Sequence, residues 1–296
     1  MARAAVKPQA PAALRREAEE QAARYPALMA EAERIAVTVA QGVHGRRRKG
    51  VGETFWEYRH HAQTDPVTRI DWRRSARSDD LFVRENEWEA ANSVWLWRDG
   101  RASMDWRYDR KLPLKKDRAA VLSIALASLL IRGGERCAVL GEGDAPRAGN
   151  AGLDRAALLL AAGTGDIAET DFAALARHAR LALFSDFLEP VETWRARLSQ
   201  LSGIPAGGVL VQIADPAEED FPYAGRTLFR ASGGGQELLV GRAENVGKTY
   251  RNRYAAHRDD LKALARRAGW PLVRHRTDQP PARALQAIYQ AMAPEG

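Results

Sequence analysis

The sequence has little that would cross-link, anchor or catalyse. Cys137 is the single cysteine among 296 residues, so no disulfide can form within the chain. It opens the apolar run Cys137-Ala138-Val139-Leu140, the setting of a core residue. The longest apolar stretch, Val121 to Ile131, is interrupted by Ser123 and Ser128 and falls short of the roughly 20 residues that cross a bilayer. The N-terminus carries alanine, arginine and acidic residues in place of a signal core, which predicts a cytoplasmic protein with no membrane span. There is no G-x-x-x-x-G-K-[ST] phosphate loop and no G-x-S-x-G elbow. The six histidines do not fall at metal-ligand spacing with cysteine or acids. His60 and His61 are adjacent and face opposite sides of a strand, while His44, His178, His257 and His275 stand alone. No nucleophile, metal or phosphate fingerprint remains, and the expectation is a protein without catalytic residues.

What the chain does have is positive charge, unevenly placed. Its 45 Lys and Arg exceed its 38 Asp and Glu, a formal charge of +7 that favours acidic partners. Residues 44–77 hold nine basic and four acidic side chains, and residues 242–276 hold ten against three. Charge runs also serve solubility alone, so neither run by itself defines a site.

Hydrophobic spacing then divides the chain. Leu14, Ala18, Ala22 and Tyr25 fall on one helical face, Pro26 interrupts, and Leu28, Ala32, Ile35 and Val39 resume the same period up to Gly42. A glycine-punctuated, basic and strand-forming stretch follows, with short strands expected around Phe55–Tyr58, Arg69–Trp72 and Leu81–Arg84. From Asn92 onward strands alternate with helices. Strands are expected at 94–97, 136–140, 181–184, 208–213 and 272–275. Helices are expected at 117–131, 153–162, 172–179, 191–201, 246–268 and 282–292. A hairpin is expected across Ser232-Gly233-Gly234-Gly235. The alternation predicts a mostly parallel sheet covered on both faces. Three parts result: a helical N-terminal arm over 1–43, a basic β-rich subdomain over 44–91, and an α/β domain over 92–296.

The first strand of that domain, Val94-Trp95-Leu96-Trp97, breaks at Asp99-Gly100 and is followed by Ser103 and Asp105. Open α/β sheets place ligands at the carboxyl ends of their strands, so this break is the first candidate site. Asp99-Gly100 is also an ordinary turn pair, and Asp186 can simply cap the helix that begins after Pro190.

Particular residues here resemble a known family. Gly50, Gly52-Glu53, Phe55, Arg59, Asp65, Arg69, Ile70-Asp71-Trp72, Ser75-Ala76-Arg77, Leu81 and Val83-Arg84-Glu85 are similar to the pattern of the bacterial domain of unknown function 58 family. Asp215-Pro216-Ala217-Glu218, Phe221-Pro222, Gly225 and Phe229 resemble its later segment. Thr64 departs from the glycine usual before the aspartate. The resemblance implies a von Willebrand factor A-like doubly wound sheet with a metal-ion-dependent adhesion site at its first strand. It also implies a MoxR-type AAA+ ATPase as partner, in assembly or maturation of other proteins.

That adhesion site takes one Asp and two Ser from the first loop, then a Thr and an Asp from later loops. Asp99, Ser103, Thr164 and Asp186 fall at four of these positions, but Arg101 stands where the first Ser belongs. A guanidinium has donors only and keeps its charge. Beside a cation about 4 Å away it contributes roughly 4 kcal/mol of repulsion at an effective dielectric near 20. The expectation is a degenerate site without cofactor, Mg²⁺ being disfavoured by Arg101. Arg101 then either replaces the metal as counter-ion or turns to solvent. The interaction surface is expected at this loop top, with Arg46, Arg47, Arg48 and Lys49 and Arg73, Arg74 and Arg77 nearby. The alternative is a nucleic-acid-binding protein using Arg46–Lys49 beside Phe55, Trp56 and Tyr58, and the basic 242–276 segment.

Overall fold

The structure is a computed structural model. It describes residues 26–41, 55–60, 75, 82–86 and 93–292, apart from 171, 173–174, 176–178, 203–206 and 233. Two compact units are present, residues 45–92 and the remainder of the chain.

In the smaller unit, β1 (Phe55–His60) pairs antiparallel with β2 (Phe82–Asn86), with an irregular register between Phe55 and Glu57. The strand expected at Arg69–Trp72 and the helical face from Leu14 to Tyr25 lie outside the described residues.

The larger unit is built on five parallel strands: β3 (Ser93–Arg98), β4 (Arg136–Val139), β5 (Arg180–Ser185), β6 (Gly207–Ala214) and β9 (Leu272–Arg276). Their order across the sheet is β4-β3-β5-β6-β9. Every strand but the edge strand β9 is an almost unbroken apolar run, because both faces are covered. Alternate residues divide between two cores, as a period of two requires. Val94, Leu96, Val139, Ala182, Phe184, Val209 and Val211 face one core, and Trp95, Trp97, Leu140, Leu181, Leu183 and Leu210 face the other.

The first core is closed by α1 (26–41), α2 (Lys115–Arg132), α3 (Gly149–Ala162) and α7 (Pro281–Ala291). Ala32, Ile35, Ala36 and Val39 of α1 are buried in it, and Glu31 pairs with Arg118 at 3.0 Å. The second core is closed by α4 (Val191–Ser202) and α6 (Ala243–Arg267). Between β6 and α6 lie α5 (Pro216–Asp220) and the antiparallel ribbon β7 (Thr227–Arg230) and β8 (Glu237–Val240). At the outer edge of β4, Arg147 makes one antiparallel bridge to Cys137. Burial pushes the Cys137 thiol up to about 12, consistent with a core role.

Most of the helix expected over 172–179 lies outside the described residues; a 3₁₀ turn, Ile167–Glu169, precedes that stretch. Because β4 and β5 flank β3 on opposite sides, chain order reverses at β3. Such a switch point opens a crevice at the strands' carboxyl ends. Asp99 follows β3 there and Asp186 follows β5.

Candidate functional site: a charged crevice at the strand ends

Asp99 is wholly buried, and its backbone N–H donates to the Phe184 carbonyl of β5 at 2.9 Å. Its carboxylate is saturated. Oδ1 accepts from the Arg101 backbone N–H and from Arg101 Nε, each at 2.9 Å. Oδ2 accepts from Arg101 Nη2 at 2.6 Å and from the Ser185 hydroxyl at 2.7 Å. Burial alone would raise this carboxyl, but the Arg101 and Ser185 hydrogen bonds outweigh it and hold Asp99 below the usual range. Arg101 therefore points inward, in the two-pronged geometry that guanidinium and carboxylate favour. Its Nη1 lies 2.5 Å from Glu189, which Arg197 also engages. The Arg101 side chain is still 24% exposed, so solvent and partners can reach it.

Asp186 meets a second protein-borne cation. Lys115, in the first turn of α2 and 1% exposed, places Nζ 2.9 Å from Asp186 Oδ2 and 2.5 Å from Glu218 Oε1. Burial would lower this ammonium, but the charges of Glu218 and Asp186 raise it instead. With two carboxylates around one ammonium, burial and the nearby Asp186 push Glu218 up. The other Glu218 oxygen accepts from the Asp215 backbone N–H at 2.9 Å, half of a capping box that starts α5. Asp186 Oδ1 accepts from the Leu188 N–H at 3.2 Å. Between them Phe187 adopts φ 53, held by its N–H on Ser185 Oγ and by His257 Nε2 at 2.7 Å from its carbonyl.

Thr164 is brought against the end of β3, forming a parallel bridge with Asp99. Its hydroxyl, however, donates to the Arg98 carbonyl at 2.6 Å. The crossing needs glycine twice. A Cβ on Gly100 would stand 2.4 Å from the Thr164 carbonyl, and one on Gly163, at φ +93, would stand 2.1 Å from Arg98 Nη2. Ser103 lies in the 3₁₀ turn Ala102–Met104, half-buried at the edge of an adjoining groove.

This donor set does not fit a hard divalent cation, which requires an octahedron of oxygens. Both Asp99 oxygens accept from a guanidinium, and Asp186 faces an ammonium. The mismatch lies with these two carboxylates, since the Thr164 hydroxyl donates to the Arg98 carbonyl and keeps its oxygen lone pairs. Sequence reading did not single out Lys115, Ser185, Glu189 or Glu218 as members of the cluster. The sequence held no clear signal for Lys115: α2 opens with Lys115-Lys116-Asp117-Arg118, and its neighbour Lys116 is 29% exposed.

Arg46, Arg47, Arg48, Lys49, Arg73, Arg74 and Arg77 lie outside the described residues. In the 242–276 segment, Arg274 engages Glu219, and Arg276 engages Glu219, Asp220 and Asp278. Two arginines counted toward a nucleic-acid surface are thus already paired.

A parallel sheet in the order β4-β3-β5-β6-β9, with acidic residues at its switch point, defines an α/β protein of the doubly wound class. The profile of the family described as protein of unknown function DUF58 matches residues 57–260, more than half of the chain, and the chain belongs to that family. It is 28% identical over 262 residues to the uncharacterized protein Mb1516 of Mycobacterium bovis and, equally, to Rv1480 of Mycobacterium tuberculosis. Each match covers 81% of this chain and 80% of the relative. An aerotolerance-related membrane protein from Bacteroides fragilis superposes with a TM-score of 0.41 at 15% identity, over 68% of this chain and 98% of its own. The conserved hypothetical protein BatB from Bacteroides thetaiotaomicron does so at 0.35 and 16%, over 68% and 97%. No helix among the described residues is long and apolar enough to cross a membrane.

Proposed function

We propose that this chain is a non-enzymatic adaptor that binds other proteins in the cytoplasm. Its partner is a MoxR-type AAA+ ATPase acting in assembly or maturation of further proteins. Its adhesion site is degenerate: Arg101 and Lys115 stand in for the metal. The observation that carries this reading is the Arg101 guanidinium, clamped on Asp99 from within yet reachable from outside. The partner's ATPase identity is supported by family resemblance alone.

The chemistry is direct. A divalent ion at a strand end would offer an open position to a partner's carboxylate. A guanidinium offers N–H donors with the same charge preference and needs no ion. Glu189 occupies Arg101 Nη1 in the free protein, so an incoming carboxylate competes with it.

Capture of the ATPase from the same organism tests the reading, with purified full-length chain as bait. Arg101→Gln is expected to weaken capture by about tenfold, the order expected for losing one charged pair. Glu189→Gln is expected to leave capture unchanged or tighter. Asp186 is a poor probe, because its removal leaves the buried Lys115 short of one counter-ion. Unchanged capture by Arg101→Gln would place the docking surface elsewhere.

A further inference from the structure

Beside the strand ends runs a groove of about 1150 Å³. It is bounded by the turn after β3, the end of α5, the β7–β8 ribbon and α6. It is open along its length, as a groove for an extended ligand would be.

Its floor is an aromatic cluster centred on Phe221, whose ring lies 4.7 Å from Tyr250, 5.0 Å from Tyr223 and 5.8 Å from Phe229. Phe221 caps α5 with φ 47, a conformation that L-residues adopt sparingly. Its wall is the ribbon. Leu238 and Leu228 line the groove while 64% and 44% exposed, although an isolated two-stranded ribbon has little apolar area to spare.

Charge selects the occupant. The charged lining residues are Asp105, Arg107, Lys115, Glu218, Arg230 and Arg253. Lys115 and Glu218 pair with each other, leaving three arginines against one aspartate. Asp105 is engaged by Lys116 and Arg230 by Glu237. Arg107 and Arg253 are exposed and form no ion pair among the described residues. The rim is thus positive over an apolar floor, a surface that repels basic segments and lipid-like cations alike.

We propose that this groove docks an acidic amphipathic segment of a partner protein, with bulky apolar side chains on the Phe221 cluster and Leu238 and carboxylates against Arg107 and Arg253. The proposal rests on the adaptor reading and adds the partner's chemistry to it. The mode is that of an amphipathic segment laid into an apolar groove, with charges setting its orientation.

The test is selection of a random peptide library displayed on phage against the immobilised full-length chain, followed by fluorescence anisotropy on the selected peptides. Enriched peptides are expected to be net negative, with two or more Leu, Ile, Phe or Trp residues. Their affinity should fall about tenfold in the double variant Arg107→Glu/Arg253→Glu, and fall with added salt. Leu238→Ser, which leaves the charges alone, should weaken the same peptides several-fold. Both changes are at exposed side chains, and unchanged melting curves will show that the fold persists. The proposal is overturned if selected peptides are basic or uncharged, or if neither variant weakens them. It is equally overturned if phosphatidylserine vesicles bind where no peptide does, or if light scattering shows a dimer that Leu238→Ser dissolves. Loss of ATPase capture in Arg101→Gln without any acidic consensus would sink the groove and leave the adaptor reading standing. An acidic consensus with capture indifferent to Arg101 would keep the groove and move the ATPase's docking surface away from the strand end.

Discussion

Lys115 is the residue on which the crevice depends most. Breaking a buried ion pair strands the remaining charge, at about 3–5 kcal/mol. Lys115→Met retains the stem's packing but leaves Asp186 and Glu218 facing each other without a cation. Urea unfolding at pH 7 should show a loss of that size, and a loss under about 1 kcal/mol would mean the triad is not holding the loop. His275 gives a pH signature of opposite origin. It is 2% exposed, and burial, aided by the Arg118 charge and opposed by Asp278, holds its imidazole down to about 4. An unfolded imidazole titrates near 6.5, so below that pH the unfolded chain takes up a proton that the folded one refuses. The contribution is complete above pH 6.5 and drains away as the pH falls toward 4, amounting to about 3 kcal/mol. His275→Gln should therefore lose less stability than the parent between pH 7 and 4.5 in urea titrations. Parallel declines would contradict the assignment.

At the level of elements, the strands and long helices were legible because their physics is local. Runs buried on both faces mark β3, β5 and β6, and spacings of three and four mark α6. α5 is the exception: Asp215-Pro216-Ala217-Glu218 spells a capped start. At five residues it offers no period to read, only its cap. The site was legible one residue at a time but not as a set. Asp99 and Asp186 follow from their places at strand ends. The lysine that joins Asp186 to Glu218 comes from the start of a helix 71 residues away from the first and 103 from the second. Nor could spacing reveal that Thr164 turns its hydroxyl to Arg98. The approach of the Gly163 loop to β3 is testable in its own right. Gly163→Ala drives a methyl into Arg98 at a backbone conformation alanine resists. A loss of about 1–3 kcal/mol is expected, with slower closure of Thr164 onto β3 visible as faster amide exchange there. An unaltered midpoint would show that this crossing is looser than its distances.

For the whole molecule, sequence pattern and strand order converge on a doubly wound sheet, and the family match agrees with residues recognisable in the sequence. The most family-specific stretch, residues 50–90, falls largely outside the described part of the structure. The direction of Arg101 was beyond sequence reading for a plain reason. A guanidinium two residues after a strand end can reach either solvent or the preceding carboxylate, and the choice is made by Ser185 and Glu189 from another strand and loop. Titration calorimetry of the full chain with Mg²⁺ and then Mn²⁺ examines that outcome most directly. If the protein's own side chains fill the cation positions, neither metal gives a saturable heat at micromolar concentration. A saturable isotherm that disappears in Asp99→Ala would show the opposite, that the strand end still takes an ion from solution.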